Sequence, residues 1–263
     1  YGEITRTGYR IEKLVYESEP GILVPSLLFL PEKPAGSKPA AIFVHGRGKA
    51  AARPEAEELV RAGFVVLAID ARGFGETRSA SDTKGPDWPA YFGDYDAAMT
   101  AILLGRTLIA MRALDIMRGV DLLAGRPEVD AARMLGFARD GGTAALAHAA
   151  ALDPRLGKVA LEGMVASYRS VVEHRIHRGI CEQVIPGVLK SYDLPHLVAS
   201  LAPRPVWLVN AADPLGLPLT LERAAGEYAP ALEAFRKAGA ADSLRVLRRG
   251  EGSFSDFYQD LLK

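Results

Sequence analysis

The segment Val129-Asp130-Ala131-Ala132-Arg133-Met134-Leu135-Gly136-Phe137-Ala138-Arg139-Asp140-Gly141-Gly142-Thr143 reads as a strand, a tight turn of small residues and the start of an Ala-rich helix. Within it, Ala138-x-Asp140-x-Gly142 has the small-x-nucleophile-x-small spacing of a nucleophile elbow, in which small flanks allow a strained turn to lift the central side chain into the open. The central residue is Asp, not Ser. A carboxylate in that position has two chemical uses. It can attack carbon to give an alkyl ester, which water then cleaves with the help of a general base. Alternatively, it can stay ionised among the N–H donors of a helix start, as a fixed anion that repels a developing oxyanion and pairs with Arg47 or Arg139, or with a cationic or hydroxyl-rich ligand. Gly136-x-x-x-x-Gly141-Gly142-Thr143 also approaches a phosphate-binding loop, but that loop requires Lys where Gly142 stands. A plain βα turn whose glycines serve only packing is the third account of the same residues.

These residues need a scaffold, and its elements follow from the pattern. Eight strands are expected, at Arg10 to Glu17, Ile22 to Leu30, Ala40 to Val44, Val65 to Asp70, Arg133 to Phe137, Lys158 to Leu161, Val206 to Asn210 and Leu244 to Leu247. The short Ser18-Glu19-Pro20-Gly21 link makes the first two antiparallel. Helical periodicity in Pro54 to Ala62, Tyr95 to Leu123, Thr143 to Leu152 and Leu219 to Ala238 alternates with the remaining strands. The expectation is one α/β domain over residues 1–263, with a mostly parallel sheet covered by helices on both faces and a cap-like insertion at about 166–204.

Composition narrows the partners. With 32 basic and 32 acidic side chains the net charge is zero, which removes the footprint of nucleic-acid binding. The longest apolar stretch, Ala97 to Leu123, is broken by Arg106, Arg112, Asp115 and Arg118, so no membrane span is expected. The single Cys181 forms no internal disulfide and reads as a buried spacer, which leaves cytoplasmic and secreted locations equally open. The chain begins at Tyr1, not Met, and is read as a mature or excised piece.

At the elbow the sequence resembles the α/β-hydrolase superfamily, and within it the acetyl xylan esterase-like and dienelactone hydrolase-like proteins. The resemblance extends to His45-Gly46-Arg47-Gly48 after the third expected strand, Asp70-Ala71-Arg72-Gly73-Phe74-Gly75 after the fourth, and Asp213 beyond the seventh. It implies the α/β-hydrolase fold with an eight-stranded sheet and hydrolysis of carboxylic esters, including deacetylation of polysaccharides. The Gly141 N–H, with one from Gly46 or Arg47, would form the oxyanion hole, and Asp213 would be the orienting acid. The family's base follows the last strand, where this chain has no His. Ser253 or Glu251 takes that place in Arg249-Gly250-Glu251-Gly252-Ser253-Phe254.

Two losses from the triad lead to the reading of a degenerate, catalytically impaired esterase-like domain that binds a small-molecule or carbohydrate ester ligand or serves architecture, with a tandem hydrolase domain expected beside it. Two alternatives stay open: an active acetyl xylan esterase-like hydrolase, and an Asp140-nucleophile hydrolase of the dehalogenase or epoxide-hydrolase type that borrows a base from His174, His177 or His196 in the cap. His45 is read as bracing the oxyanion loop. Glu162 is a strand-end carboxylate, and Arg139, Trp88, Tyr168, His174, His177 and Glu251 are candidates to line the cleft. His174-x-x-His177 lacks a third ligand, so no metal and no cofactor is expected.

Overall fold

A computed structural model describes residues 1–32, 36–78 and 91–263. Its nine strands form one sheet: β1 Glu3–Arg6, β2 Tyr9–Glu19, β3 Ile22–Pro31, β4 Lys38–His45, β5 Val65–Ile69, β6 Val129–Arg139, β7 Leu156–Glu162, β8 Val206–Val209 and β9 Leu244–Leu247, in the order β1-β2-β3-β5-β4-β6-β7-β8-β9. The pairs β1–β2, β2–β3 and β3–β5 run antiparallel, and every pair from β5–β4 to β8–β9 runs parallel. The count corrects the expected eight. The extra strand, Glu-Ile-Thr-Arg, is too short and polar to show as a periodic run, and only its pairing with β2 (Glu3 opposite Glu12) defines it.

The central strands are buried on both faces, as parallel strands under helices must be. Alternate residues of β4 serve different cores. Ile42 and Val44 meet Ile116, Val120 and Leu123 of α3 (Leu108–Ala124) together with α4 (Thr143–Leu152) and Phe235 of α8 (Ala229–Lys237). Ala41 and Phe43 face Ala56, Leu59 and Val60 of α1 (Arg53–Arg61), and Phe254 and Tyr258 near the C-terminus. Phe43, Phe137, Phe254 and Tyr258 form a ring cluster with centroids 4.5 to 6.0 Å apart.

The long helical run expected over Tyr95 to Leu123 is two helices, α2 (Tyr95–Leu103) and α3, bent by 95°. Gly105 turns left-handed (φ 71°), and the Thr107 side chain caps α3 by accepting from the Ala110 N–H. Likewise Leu219 to Ala238 splits into α7 (Leu221–Glu227) and α8, where Pro230 in the first turn starts a new helix. Among the described residues no single helix is long and apolar enough to cross a membrane.

The segment 166–204 covers the carboxyl ends of the strands with α5 (Tyr168–Glu173), two 3₁₀ turns and α6 (Leu194–Ala199). One buried carboxylate fastens it. Asp193 accepts from the Tyr168 and Leu194 N–H groups through Oδ1 (2.5 and 2.7 Å) and from the Arg169 N–H through Oδ2 (3.1 Å), so it satisfies the free donors of two helix starts at once.

Candidate active site

Three neighbouring strands end in residues with left-handed backbone: Asp140 (φ 52°) after β6, Gly163 (φ 79°) after β7 and Asn210 (φ 50°) after β8. Their chains therefore turn sharply away and open a crevice of about 500 Å³ beneath the cap, outside the carboxyl ends of the strands, where this class of sheet takes its ligands. Asp tolerates the left-handed region better than most side chains. The turn is further held by Thr143, whose hydroxyl donates to the Asp140 carbonyl at 2.7 Å. Glycines bring β4 against it: a Cβ on Gly46 would lie 2.6 Å from the Gly141 nitrogen, and one on Gly142 would lie 2.8 Å from the Val44 carbonyl oxygen. The strand, strained turn and helix expected from the sequence are thus present, with the Asp140 side chain 59% exposed in the crevice.

The nearest imidazole is that of His45, fully buried, with Nε2 3.8 Å from Asp140 Oδ2. The Arg47 N–H donates to His45 Nδ1 at 3.1 Å, and this bond assigns the ring proton to Nε2, on the side facing the carboxylate. Burial and the Arg139 and Arg47 charges push the imidazole down to about 4, so it is neutral near pH 7. A neutral ring with its free lone pair already occupied cannot take a proton from water or from a nucleophile.

That shift has a stability consequence with a definite sign. The unfolded imidazole titrates near 6.5 and the folded one near 4, so between these values the unfolded chain binds more protons. The contribution is complete above pH 6.5 and is lost as pH falls toward 4, amounting to on the order of 3 kcal/mol. Denaturant unfolding at several pH values should show His45→Asn losing less stability than the parent across this window. Parallel curves would refute the assignment.

Of the expected oxyanion donors, Gly46 N–H is taken by the Arg139 carbonyl at 3.1 Å and Arg47 N–H by His45, which leaves Gly141 N–H as the donor without a partner among the described residues. Arg139 does not pair with Asp140. It binds Glu55 in a short contact and lies 3.6 Å from Glu162, because its side chain runs back toward α1 and β7. Glu162 is 6% exposed and is held by side chains, accepting from Arg249 Nη2 at 3.0 Å and from the Tyr258 hydroxyl at 3.3 Å.

Asp213 lines the crevice, but its Oδ1 accepts the Leu215 and Leu217 N–H groups (both 2.9 Å), and no imidazole contacts it. Ser253 sits outside the crevice: it donates to Glu58 Oε2 at 2.7 Å and caps the short helix Phe254–Phe257. Glu251 is exposed and also outside, since Arg249 anchors this loop to Glu162 and Asn210. Tyr168 is turned into the cap's own core with Ile180, Val188 and Leu194. His174 and His177 are exposed away from the crevice, and His174 Nδ1 bonds the Ile176 carbonyl oxygen of its own loop at 2.7 Å. Cys181 is half-buried beside the crevice wall. Trp88 lies outside the described residues.

Residues not expected from the sequence are Arg78, Arg178, Glu182 and Asn210 in the wall, and Arg112 behind it. A signal for Arg112 was available, because a charge inside the apolar stripe of a helix must find a buried partner.

The sheet order, the elbow and the crevice together define the α/β-hydrolase fold. The profile of the acetyl xylan esterase family (AXE1) matches residues 3–178, and the chain belongs to this family. It is 24% identical over 262 residues to YtaP of Bacillus subtilis (strain 168), described as a hydrolase, with 93% of this chain and 82% of that one covered. Among solved structures it is similar to a protein of Bacteroides fragilis NCTC 9343 described as an acetyl xylan esterase (TM-score 0.79, 18% identity, 97% of this chain and 70% of that one). It is also similar to acetyl xylan esterase 1 of Thermoanaerobacterium sp. JW/SL YS485 (TM-score 0.62, 17% identity, 98% and 84%). At these identities the structures speak for the fold.

Proposed function

We propose that this member of the family is a single domain over residues 1–263 that binds a carbohydrate ester or related small molecule in the crevice and does not turn it over by acyl transfer. The observation that carries this reading is the Asp140 carboxylate on the elbow, with a neutral, proton-donating His45 as its only nearby imidazole. Acyl transfer needs a nucleophile whose proton a base removes and returns, and donors aimed at the oxyanion. Here the elbow presents negative charge where the tetrahedral intermediate would build its own, and two of the three expected donors are engaged within the protein. An Asp140 alkyl ester would meet the same obstacle at its second step, because His45 Nε2 carries a proton and cannot activate water.

Membership of an esterase family favours a second reading, an active carboxylic-ester hydrolase. The two separate on turnover. With 4-nitrophenyl acetate and acetylated xylan, the proposal expects the protein and its Asp140→Asn variant to run at the buffer rate and to resist fluorophosphonate labelling. Labelling, or turnover that Asp140→Asn abolishes, establishes the second reading instead.

A further inference from the structure

The crevice carries an asymmetric charge. At its mouth stand Arg47, Arg78 and Arg178, all exposed and none with a carboxylate partner among the described residues. Arg178 is already positioned, its guanidinium 4.9 Å from the centroid of the Tyr91 ring. Behind the wall lies Arg112, fully buried and stacked 3.8 Å from the Phe74 ring centroid, with Nη2 bonded to Glu182 at 2.6 Å and Nη1 without a partner among the described residues. Glu182 lines the crevice, and glycines pack closely on the pair: a Cβ on Gly73 would lie 2.8 Å from Arg112 Nη2, and one on Gly93 would lie 2.8 Å from Glu182 Oε1. The acids that line the crevice are mostly engaged. Glu162 and Glu182 are held by arginines, Asp94 caps α2, and Asp213 closes its turn. The exception is Asp140.

Guanidinium groups recognise carboxylates through paired N–H donors, and an ionised carboxylate such as Asp140 only accepts hydrogen bonds. A ligand that satisfies both ends presents an acid to the arginines and hydroxyls to the elbow. From this we infer that the crevice selects a carboxylate-bearing, hydroxyl-rich ligand of the acidic-sugar class, with Asp140 repelling the ligand's acid toward the mouth and accepting from its hydroxyls. The inference rests on the binding reading above and adds the charge of the ligand.

Isothermal titration calorimetry of the intact protein tests it with D-glucuronate, D-glucose, which has the same ring without the acid, and acetate, which has the acid without the ring. Glucuronate should bind roughly tenfold more tightly than either, a difference of about 1.4 kcal/mol. Its advantage should shrink as salt rises from about 50 to about 500 mM, because the mouth arginines are exposed. Arg78→Ala and Arg178→Ala should each weaken glucuronate several-fold, narrow its advantage over glucose and keep the melting temperature. Glucose binding as well as glucuronate, acetate binding as well as glucuronate, or no binding of glucuronate overturns the inference. So do arginine variants that bind glucuronate like the parent. Ester turnover, measured separately, decides the non-catalytic reading whichever way the titrations fall.

Discussion

Replacing Arg112 with alanine is expected to cost about 3–5 kcal/mol of folding stability, the usual consequence of removing one partner from a buried charge pair. The guanidinium is completely buried, donates through Nε to the Arg72 carbonyl at 2.7 Å, binds Glu182 at 2.6 Å and covers the face of Phe74. Alanine leaves Glu182 unbalanced at 15% exposure, frees the Arg72 carbonyl and opens a void behind the crevice wall. For a chain of this size the loss should lower the melting temperature by roughly 10 °C. The double variant Arg112→Ala/Glu182→Gln should recover part of it, since no uncompensated charge then stays behind. Calorimetry showing Arg112→Ala within about 1 kcal/mol of the parent would mean that the pair is not a support of the fold.

Asp70→Ala should be of similar size, again about 3–5 kcal/mol. Asp70 is 1% exposed and Lys49 is 6% exposed. Their ion pair at 2.6 Å is supplemented by the Lys49 N–H on Oδ1 (2.6 Å) and the Glu76 N–H on Oδ2 (2.9 Å). This one carboxylate ties the loop after β4, which carries Gly46 and Arg47, to the loop after β5, which carries Gly73 and Phe74. Its removal leaves a buried ammonium whose other partner, Glu76, is exposed. Chemical denaturation should show the full loss, and Asp70→Asn, which keeps the shape and one acceptor, should lose less. A small effect from Asp70→Ala would show that Glu76 alone can hold the lysine.

The parts of the fold that were readable in the sequence are those in which one local pattern decides the outcome. Continuous apolar runs placed β4 and β5, the Pro20-Gly21 turn placed the β2–β3 hairpin, and small residues around Asp140 placed the elbow. What escaped depends on contacts between distant segments. Strand β1 exists through β2, and the bends after Leu103 and Glu227 come from single Gly and Pro positions inside otherwise helical composition. The crevice shows the same division. Asp140, Gly46 and Gly141 could be located from spacing, but Arg178 reaches the mouth only because the cap folds back over the strand ends, 38 residues beyond Asp140 in sequence. Nothing local marks Tyr168 as belonging to the cap's interior, or Ser253 as bound to Glu58, since both destinations are set by elements far along the chain.

The glycine contacts around the elbow have a consequence for engineering. Because neighbouring backbone packs tightly around the left-handed bend at position 140, with the tolerance of Asp for that region as a second support, the turn is a socket that should survive a change to another small polar occupant. Serine or cysteine could be installed there without redesigning the loop. The missing proton acceptor, not the mounting, is what a designer would have to supply.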